Sequence, residues 1–298
     1  MTDREQQNLR NLEAGGVTVA AEERLRAQAA RPKPFWVSNL SVNELSLIRR
    51  AGFYPLGQVM GCSAYHVGFQ WPPGMFGYPQ SVELETLTKA HLHARDLAIV
   101  RLLFEAKLLG AHGVVGVRFD RQALDSGGLL DFNVIGTAVR MEGAPPTETP
   151  FTSDLTGEEV YQLWTAGYRP VGFAYGNCYW YEVASWNTRM ATDGGLFGGW
   201  SNEELPDFTK AVASTRDTAV GRMEAECRKM GADGVVGVQI DRQIQTVHKD
   251  NRHDLTVHMQ VTGTAIAQRS GDFAAPPHRM AVSLADLPIR KAAEAPTS

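Results

Sequence analysis

At 298 residues, with 43% hydrophobic and 21% charged side chains, the chain exceeds the roughly 100–200 residues of a single domain and has the apolar content to build a core in each of two. A formal net charge of -4 excludes the clustered cationic surface that a polyanion demands, so nucleic acid is not an expected partner. Three cysteines with no close pair, Cys62, Cys178 and Cys227, exclude a disulfide framework.

The first stretch, MTDREQQNLRNLE, alternates charge and amide without an apolar core, so it does not read as an export signal. AAEERLRAQAA is expected as a short helix ahead of Pro32 and Pro34, which makes residues 1–34 an arm. Apolar runs all stop short of the roughly 18–20 residues needed to span a bilayer; Arg101, for example, interrupts one after LAIV. A soluble cytoplasmic protein without a membrane span is the expectation.

From residue 35 the chain is written twice. GAHGVVGVRFDRQ at 110–122 returns as GADGVVGVQIDRQ at 231–243, an offset of 121 that also carries ARD at 94–96 onto TRD at 215–217. Upstream, residues 39–61 fit residues 154–176 at an offset of 115; downstream, VIGTAV at 134–139 fits VTGTAI at 261–266 at 127. The length changes fall between matched blocks, which marks the blocks as packed elements and the gaps as surface loops. Pro145, Pro146 and Pro150 mark residues 143–149 as an extended linker between a unit at 35–142 and a unit at 150–269.

Within each unit the elements follow in order. Ser41 with Glu44, and Thr156 with Glu159, form capping boxes that open a short helix. Gly52 and Gly167 close it, and a strand follows through FYPLGQVMGCSAYHVG or YRPVGFAYGNCYWYEV. A long helix carries Ala98, Leu102, Ala106 and Leu109 on one face, matched by Ala219, Met223, Cys227 and Met230. Cys227 thereby reads as a small core residue. VVGVRF or VVGVQI forms the next strand, with Val115, Val117 and Phe119 alternating, and DFNVIGTAV or DLTVHMQVTGTAI the last, with Leu255, Val257, Met259 and Val261 alternating. The expected fold class is α+β: two tandem β-α-β-β two-layer units, each preceded by a short helix. One helix over three strands leaves a sheet face and edges open, which calls for a neighbour.

The ordered blocks LGA or MGA, then GVVGV, then a terminal GTA resemble the YbjQ-like family, also called heavy-metal-binding domain proteins, over about residues 35–142 and again 150–269. The resemblance implies a dodecin-like unit and assembly into five-membered rings, so that a tandem chain would form a homo-oligomeric ring of ten units, a pentamer of two-unit chains. Where members of that family carry a cysteine before the glycine of the first strand, this chain has Leu56 and Val171.

Several residue sets invite chemistry. Gly110, Gly113 and Gly116 run from helix into strand, the reverse of a dinucleotide loop, so they read as a helix end and close packing. Cys62 and His66 share a strand face and, with Cys178, are the candidate metal or small-ligand residues. His91 and His93 diverge on a helix, and His248, His253 and His258 read as a solvated hairpin. The repeated pairs Arg95–Asp96, Asp120–Arg121, Arg216–Asp217 and Asp241–Arg242 read as structural ion pairs; an enzyme built on them would need a reactive neighbour that the sequence does not supply. No catalytic residue and no cofactor are expected.

The connection before each long helix crowds aromatics: Tyr65, Trp71, Phe76 and Tyr78 in one copy, and Trp180, Trp186, Phe197 and Trp200 in the other. These read as assembly or binding residues, because such rings are costly to leave in water. Residues 270–298 read as a mobile tail in which MAVSLADLPI is able to dock on a protein partner. The expected function is a non-enzymatic, ring-forming scaffold or binding protein, with metal or small-ligand carriage as the alternative.

Overall fold

A computed structural model describes residues 1–67, 80–124, 129–192, 202–249 and 252–270. Its elements are α1 (Asp3–Glu13), α2 (Val19–Ala29), α3 (Val42–Arg50), β1 (Phe53–His66), β2 (Val82–Glu83), α4 (Glu85–Leu108), β3 (Gly113–Leu124), β4 (Leu129–Met141), β5 (Phe151–Thr152), α5 (Gly157–Thr165), β6 (Tyr168–Glu182), α6 (Trp186–Thr192), α7 (Pro206–Lys229), β7 (Gly234–Lys249) and β8 (Arg252–Gln268).

The chain is an α+β protein of two β-α-β-β units. In the first, β1 and β3 flank β4, both antiparallel to it; in the second, β6 and β7 flank β8 in the same way. The capping boxes form as the sequence predicts: Ser41 Oγ accepts from the Glu44 amide at 3.2 Å, and Thr156 Oγ1 from that of Glu159 at 3.2 Å. Each long helix packs one stripe on its sheet. Ala98, Leu102 and Ala106 lie beneath α4, and Ala219, Met223 and Cys227 beneath α7, all buried. Burying a Leu- or Met-sized side chain of this kind contributes about 1.5–3 kcal/mol.

Helix and sheet approach closely because a glycine faces the helix in each unit. A Cβ on Gly61 would lie 1.9 Å from the Ala98 carbonyl oxygen, and one on Gly176 2.0 Å from that of Ala219. The next glycine of each repeat phrase has a different cause. Gly116 and Gly237 sit at φ +60° and +66°, a left-handed backbone that L side chains rarely adopt. They produce a register shift between Val115 and Arg118, and between Val236 and Gln239. This bulge corrects the simple alternation expected for Val115, Val117 and Phe119: Val114, Val115 and Val117 are all buried, whereas Phe119 is half-buried.

The amino-terminal segment also differs from expectation, since it holds two helices. A capping box between Thr2 and Glu5 starts α1, and Thr18 caps α2 while Asn8 Oδ1 accepts from the Val19 amide at 2.9 Å. The pair lies against α4: Leu25 is fully buried, the Arg101 Nη2 donates to the Leu12 carbonyl at 3.0 Å, and Gln28 donates to the Leu56 carbonyl at 2.8 Å.

Candidate functional site

Two strand exchanges join the units, and neither was visible in the repeat pattern. β2, from the first unit, adds to the edge of β6, with Val82 opposite Tyr181 and Glu83 opposite Trp180. The Leu84 amide extends this pairing to the Tyr179 carbonyl at 2.8 Å. β5, the lead of the second unit, adds in parallel to β3, with Phe151 opposite Gly113 and Thr152 opposite Val114. The Ser153 amide donates to the Val114 carbonyl, and the Val117 amide to that of Ser153, each at 2.9 Å. Each sheet thereby gains a fourth strand, in the orders β1-β4-β3-β5 and β2-β6-β8-β7. Gly113 is needed here for space, because the Phe151 ring comes within 2.3 Å of where a Cβ would stand.

Between the two exchanges runs a seam of charged and aromatic side chains. Arg95 on α4 donates two hydrogen bonds of 2.9 Å to Glu226 on α7, and its guanidinium lies 4.7 Å from the centre of the Tyr175 ring. Glu83 is 2.7 Å from Arg222, whose two-pronged charge holds the Glu83 carboxyl below its ordinary range. Arg121 on β3 donates to Nδ1 of His258 on β8 at 2.8 Å and lies 3.5 Å from Asp241. The His258 ring stacks on Tyr179 at 3.8 Å, and the Tyr179 hydroxyl lies 2.9 Å from Nε2 of His91.

Burial makes these groups electrically quiet. The His91 imidazole is pushed down to about 3, first by burial and then by the Arg121 cation. His258 falls to about 2 through burial, Arg121 and His91. Burial also raises the phenols of Tyr175 and Tyr179 above their ordinary range. Neutral imidazoles and protonated phenols around the Arg121 guanidinium form a buried hydrogen-bonded joint. A cleft of about 550 Å³ opens beside this joint, lined in part by Phe119, Asp154, Phe173, Ile240 and Gln260.

Of the sequence-selected residues, Arg95, Arg121 and Asp241 take part in the seam, and the others are scattered around it. Cys62 and His66 are exposed on β1, four residues apart and hence about 13 Å apart along the strand. Cys178 is buried in the second unit, its thiol pushed up to about 11 by burial and by Glu83. Among the described residues, no three His, Cys, Asp or Glu side chains are grouped to hold a metal ion. Arg95 contacts Asp96 at 3.1 Å as well as Glu226, and Arg216 contacts Asp217 at 2.8 Å. Arg121 reaches Asp241 of the other repeat, while Asp120 and Arg242 are exposed.

Of the aromatic candidates, Tyr65 is half-buried beside His93 at 5.4 Å, Trp180 is half-buried and donates to Glu182 at 2.6 Å, and Trp186 is exposed on α6. Trp71, Phe76, Tyr78, Phe197, Trp200 and the MAVSLADLPI segment lie outside the described residues. His258 corrects the expectation of a solvated hairpin: it faces α4 of the other unit and is 2% exposed. The sequence carried a signal for the seam in the mismatches between copies, since His91 stands where the second copy has Val212 and Tyr179 where the first has Ala64.

Residues 80–142 and 194–269 match the family described as "Putative heavy-metal-binding". The encapsulin nanocompartment protein Rv1762c of Mycobacterium tuberculosis is 35% identical over 268 residues, 87% of this chain and 94% of that protein. A UPF0145 protein of Thermus thermophilus, TTHA1944, is 44% identical over 62 residues, 21% of this chain and 54% of its own length. A UPF0145 protein of Corynebacterium jeikeium, jk0060, is 39% identical over 51 residues, 17% of this chain and 49% of its own length. With the repeated elements, the strand exchanges and these matches in place, the chain belongs to the YbjQ-like family and carries the family's unit twice in tandem.

Proposed function

We propose that this protein is a non-enzymatic, self-assembling scaffold that works in the cytoplasm as a closed ring of two-unit chains, in association with a protein compartment. One observation carries the reading. β3 receives β5 at Gly113 and Val114, whereas its counterpart β7 pairs, among the described residues, with β8 alone and is exposed throughout residues 237–246. Val238, Ile240 and Ile244 on that strand are 48%, 49% and 43% exposed. An open edge strand that carries exposed apolar side chains is a template for pairing with another chain, and the exposed Asp241 and Arg242 on the same strand add opposite charges that a partner must match.

Likeness over nearly the full length of an encapsulin nanocompartment protein supports the link to a compartment. The seam supports a structural role, because its imidazoles and phenols are buried and held neutral at ordinary pH. No helix of the described residues is long and apolar enough to cross a membrane.

The test is the mass of the purified particle, measured by native mass spectrometry with elemental analysis of the same sample. The reading expects one species of several chains, five chains for the ring, without stoichiometric metal. A single-chain species at micromolar concentration, or one metal ion per chain that is lost in Cys62→Ala, would end it.

A further inference from the structure

We propose that copies of this chain join head to tail by repeating, between chains, the seam that joins the two units within one. This rests on the self-assembly reading above and names its contact surfaces. The repeat offsets make the proposal specific, since each residue of the internal seam has a counterpart at one of the two open ends.

The first exchange would recur at β7. Phe151 and Thr152 have Trp36 and Val37 as counterparts, and Gly113 and Val114 have Gly234 and Val235. The lead segments are already held alike in the two units: Ser38 Oγ lies 2.9 Å from Thr137 Oγ1, and Ser153 Oγ lies 3.0 Å from Thr264 Oγ1. Yet Phe35, Trp36 and Val37 are 80%, 39% and 53% exposed. The receiving slot is open as well. A Cβ on Gly234 would meet nothing within 4 Å, whereas one on Gly113 would strike Phe151. The lead of one copy thus has the shape of β5, and β7 of another has the vacancy that β3 has filled.

The second exchange would recur at β1. Glu203 and Glu204 precede α7 as β2 precedes α4, and they would pair with His66 and Tyr65 of the next copy, as Val82 and Glu83 pair with Tyr181 and Trp180. β1 pairs, among the described residues, with β4 alone.

Charge matches at each of the three ion pairs of the seam. The internal pair Glu83–Arg222 translates to Glu204 and Arg101, Arg95–Glu226 to Arg216 and Glu105, and Arg121–Asp241 to Arg242 and Asp120. All six counterparts keep the residue type of the original, although neighbours such as His91 and Tyr179 do not. Arg101 holds the Nη1 pose of Arg222, each donating to the carbonyl of the matching strand residue, Cys62 or Asn177, while its Nη2 donates to the Leu12 carbonyl, a bond that Glu204 would replace. The Glu105 side chain is 7% exposed, accepts from the Met60 amide at 2.8 Å and has Arg24 of α2 3.6 Å away, so Arg216 would reach it by taking the place of Arg24. The apolar contact of Phe119 with Tyr175, 5.8 Å between ring centres, becomes Ile240 against Met60, which are 49% and 45% exposed. Such a heterologous contact closes into a ring when its rotation allows.

The experiment uses full-length chains in a Cys62→Ser background, one carrying Val37→Cys and the other Val235→Cys, mixed and then oxidised. Residues opposite each other on paired strands lie about 4.8 Å apart, within disulfide reach. The expected result is a disulfide-linked pair formed from one chain of each kind, and none from either chain alone. In parallel, Gly234→Val should keep the wild-type circular dichroism spectrum but weaken self-association roughly ten-fold or more, because it fills the slot for Trp36. If wild-type chains assemble, the mixed cysteine chains do not cross-link and Gly234→Val associates normally, the head-to-tail contact is overturned while self-assembly stands. If the wild type is a single chain at all concentrations, both are overturned.

Discussion

The guanidinium of Arg95 and the carboxylate of Glu226 form a two-pronged pair across the boundary between the repeats, with the Arg95 side chain 7% exposed and that of Glu226 31%. Removing the buried partner leaves the carboxylate near the Tyr175 ring but still in reach of water. Arg95→Met should therefore lower the free energy of unfolding by about 2 kcal/mol, below the full cost of breaking a wholly buried pair. Asp96→Asn, at a carboxylate 57% exposed, should change it by less than about 0.5 kcal/mol. Urea unfolding of the two variants separates these outcomes.

Glycine substitutions should divide by location. Gly176→Ala drives a methyl group into the backbone of α7, which cannot yield as a side chain can, and the expected loss is about 3 kcal/mol or more. Gly221→Ala, on the exposed face of the same helix with open space around it, should instead stabilise by about 0.5–1 kcal/mol. Thermal unfolding midpoints moving in opposite directions would confirm both.

Acid should weaken the seam. His91 and His258 stay neutral in the folded protein down to about 3 and about 2, whereas unfolded histidines take up protons near 6.5. Below that pH the unfolded state holds the extra protons, so stability falls as pH drops from about 6.5 towards 3. Each histidine contributes a slope of up to about 1.4 kcal/mol per pH unit. His258→Gln should lower the slope of urea midpoint against pH relative to wild type over pH 7 to 4; an unchanged slope would mean that the imidazole is not buried as described.

The thiols should differ in reactivity. Cys62 is exposed, whereas Cys178 and Cys227 are buried with their thiols raised. A thiol reagent at pH 8 should label Cys62 rapidly in the native protein and reach the other two only after denaturation. Mass spectrometry of the labelled chain gives the count directly.

The long elements were legible because their periodicity is local. The stripe Ala219, Met223, Cys227 and the alternation Leu255, Val257, Met259, Val261 each specify an element without reference to the rest of the chain, and the duplicated phrase fixed their order twice. β2 and β5 escaped notice because two residues carry no period; they are strands only because an edge of the other unit lies beside them. α1 was missed for a related reason: it buries no side chain, and its start rests on the Thr2–Glu5 box in a stretch with no apolar stripe to read. The seam was partly written in the duplicated Arg-Asp pairs, but their partners, Glu226 for Arg95 and His258 for Arg121, come from elements more than 130 residues away. No spacing rule connects such positions; only the tertiary arrangement does.

The α1–α2 pair covers α4 and, among the described residues, has no duplicate over α7, where Gly172 is screened by the Met230 side chain instead of by a glutamine such as Gln28. Any circle built from these chains would thus alternate clad and bare helices around its rim, with half the rotational symmetry of a circle made from single units. Such an alternation would give the circle two chemically different kinds of station, each recurring once per chain instead of once per repeat.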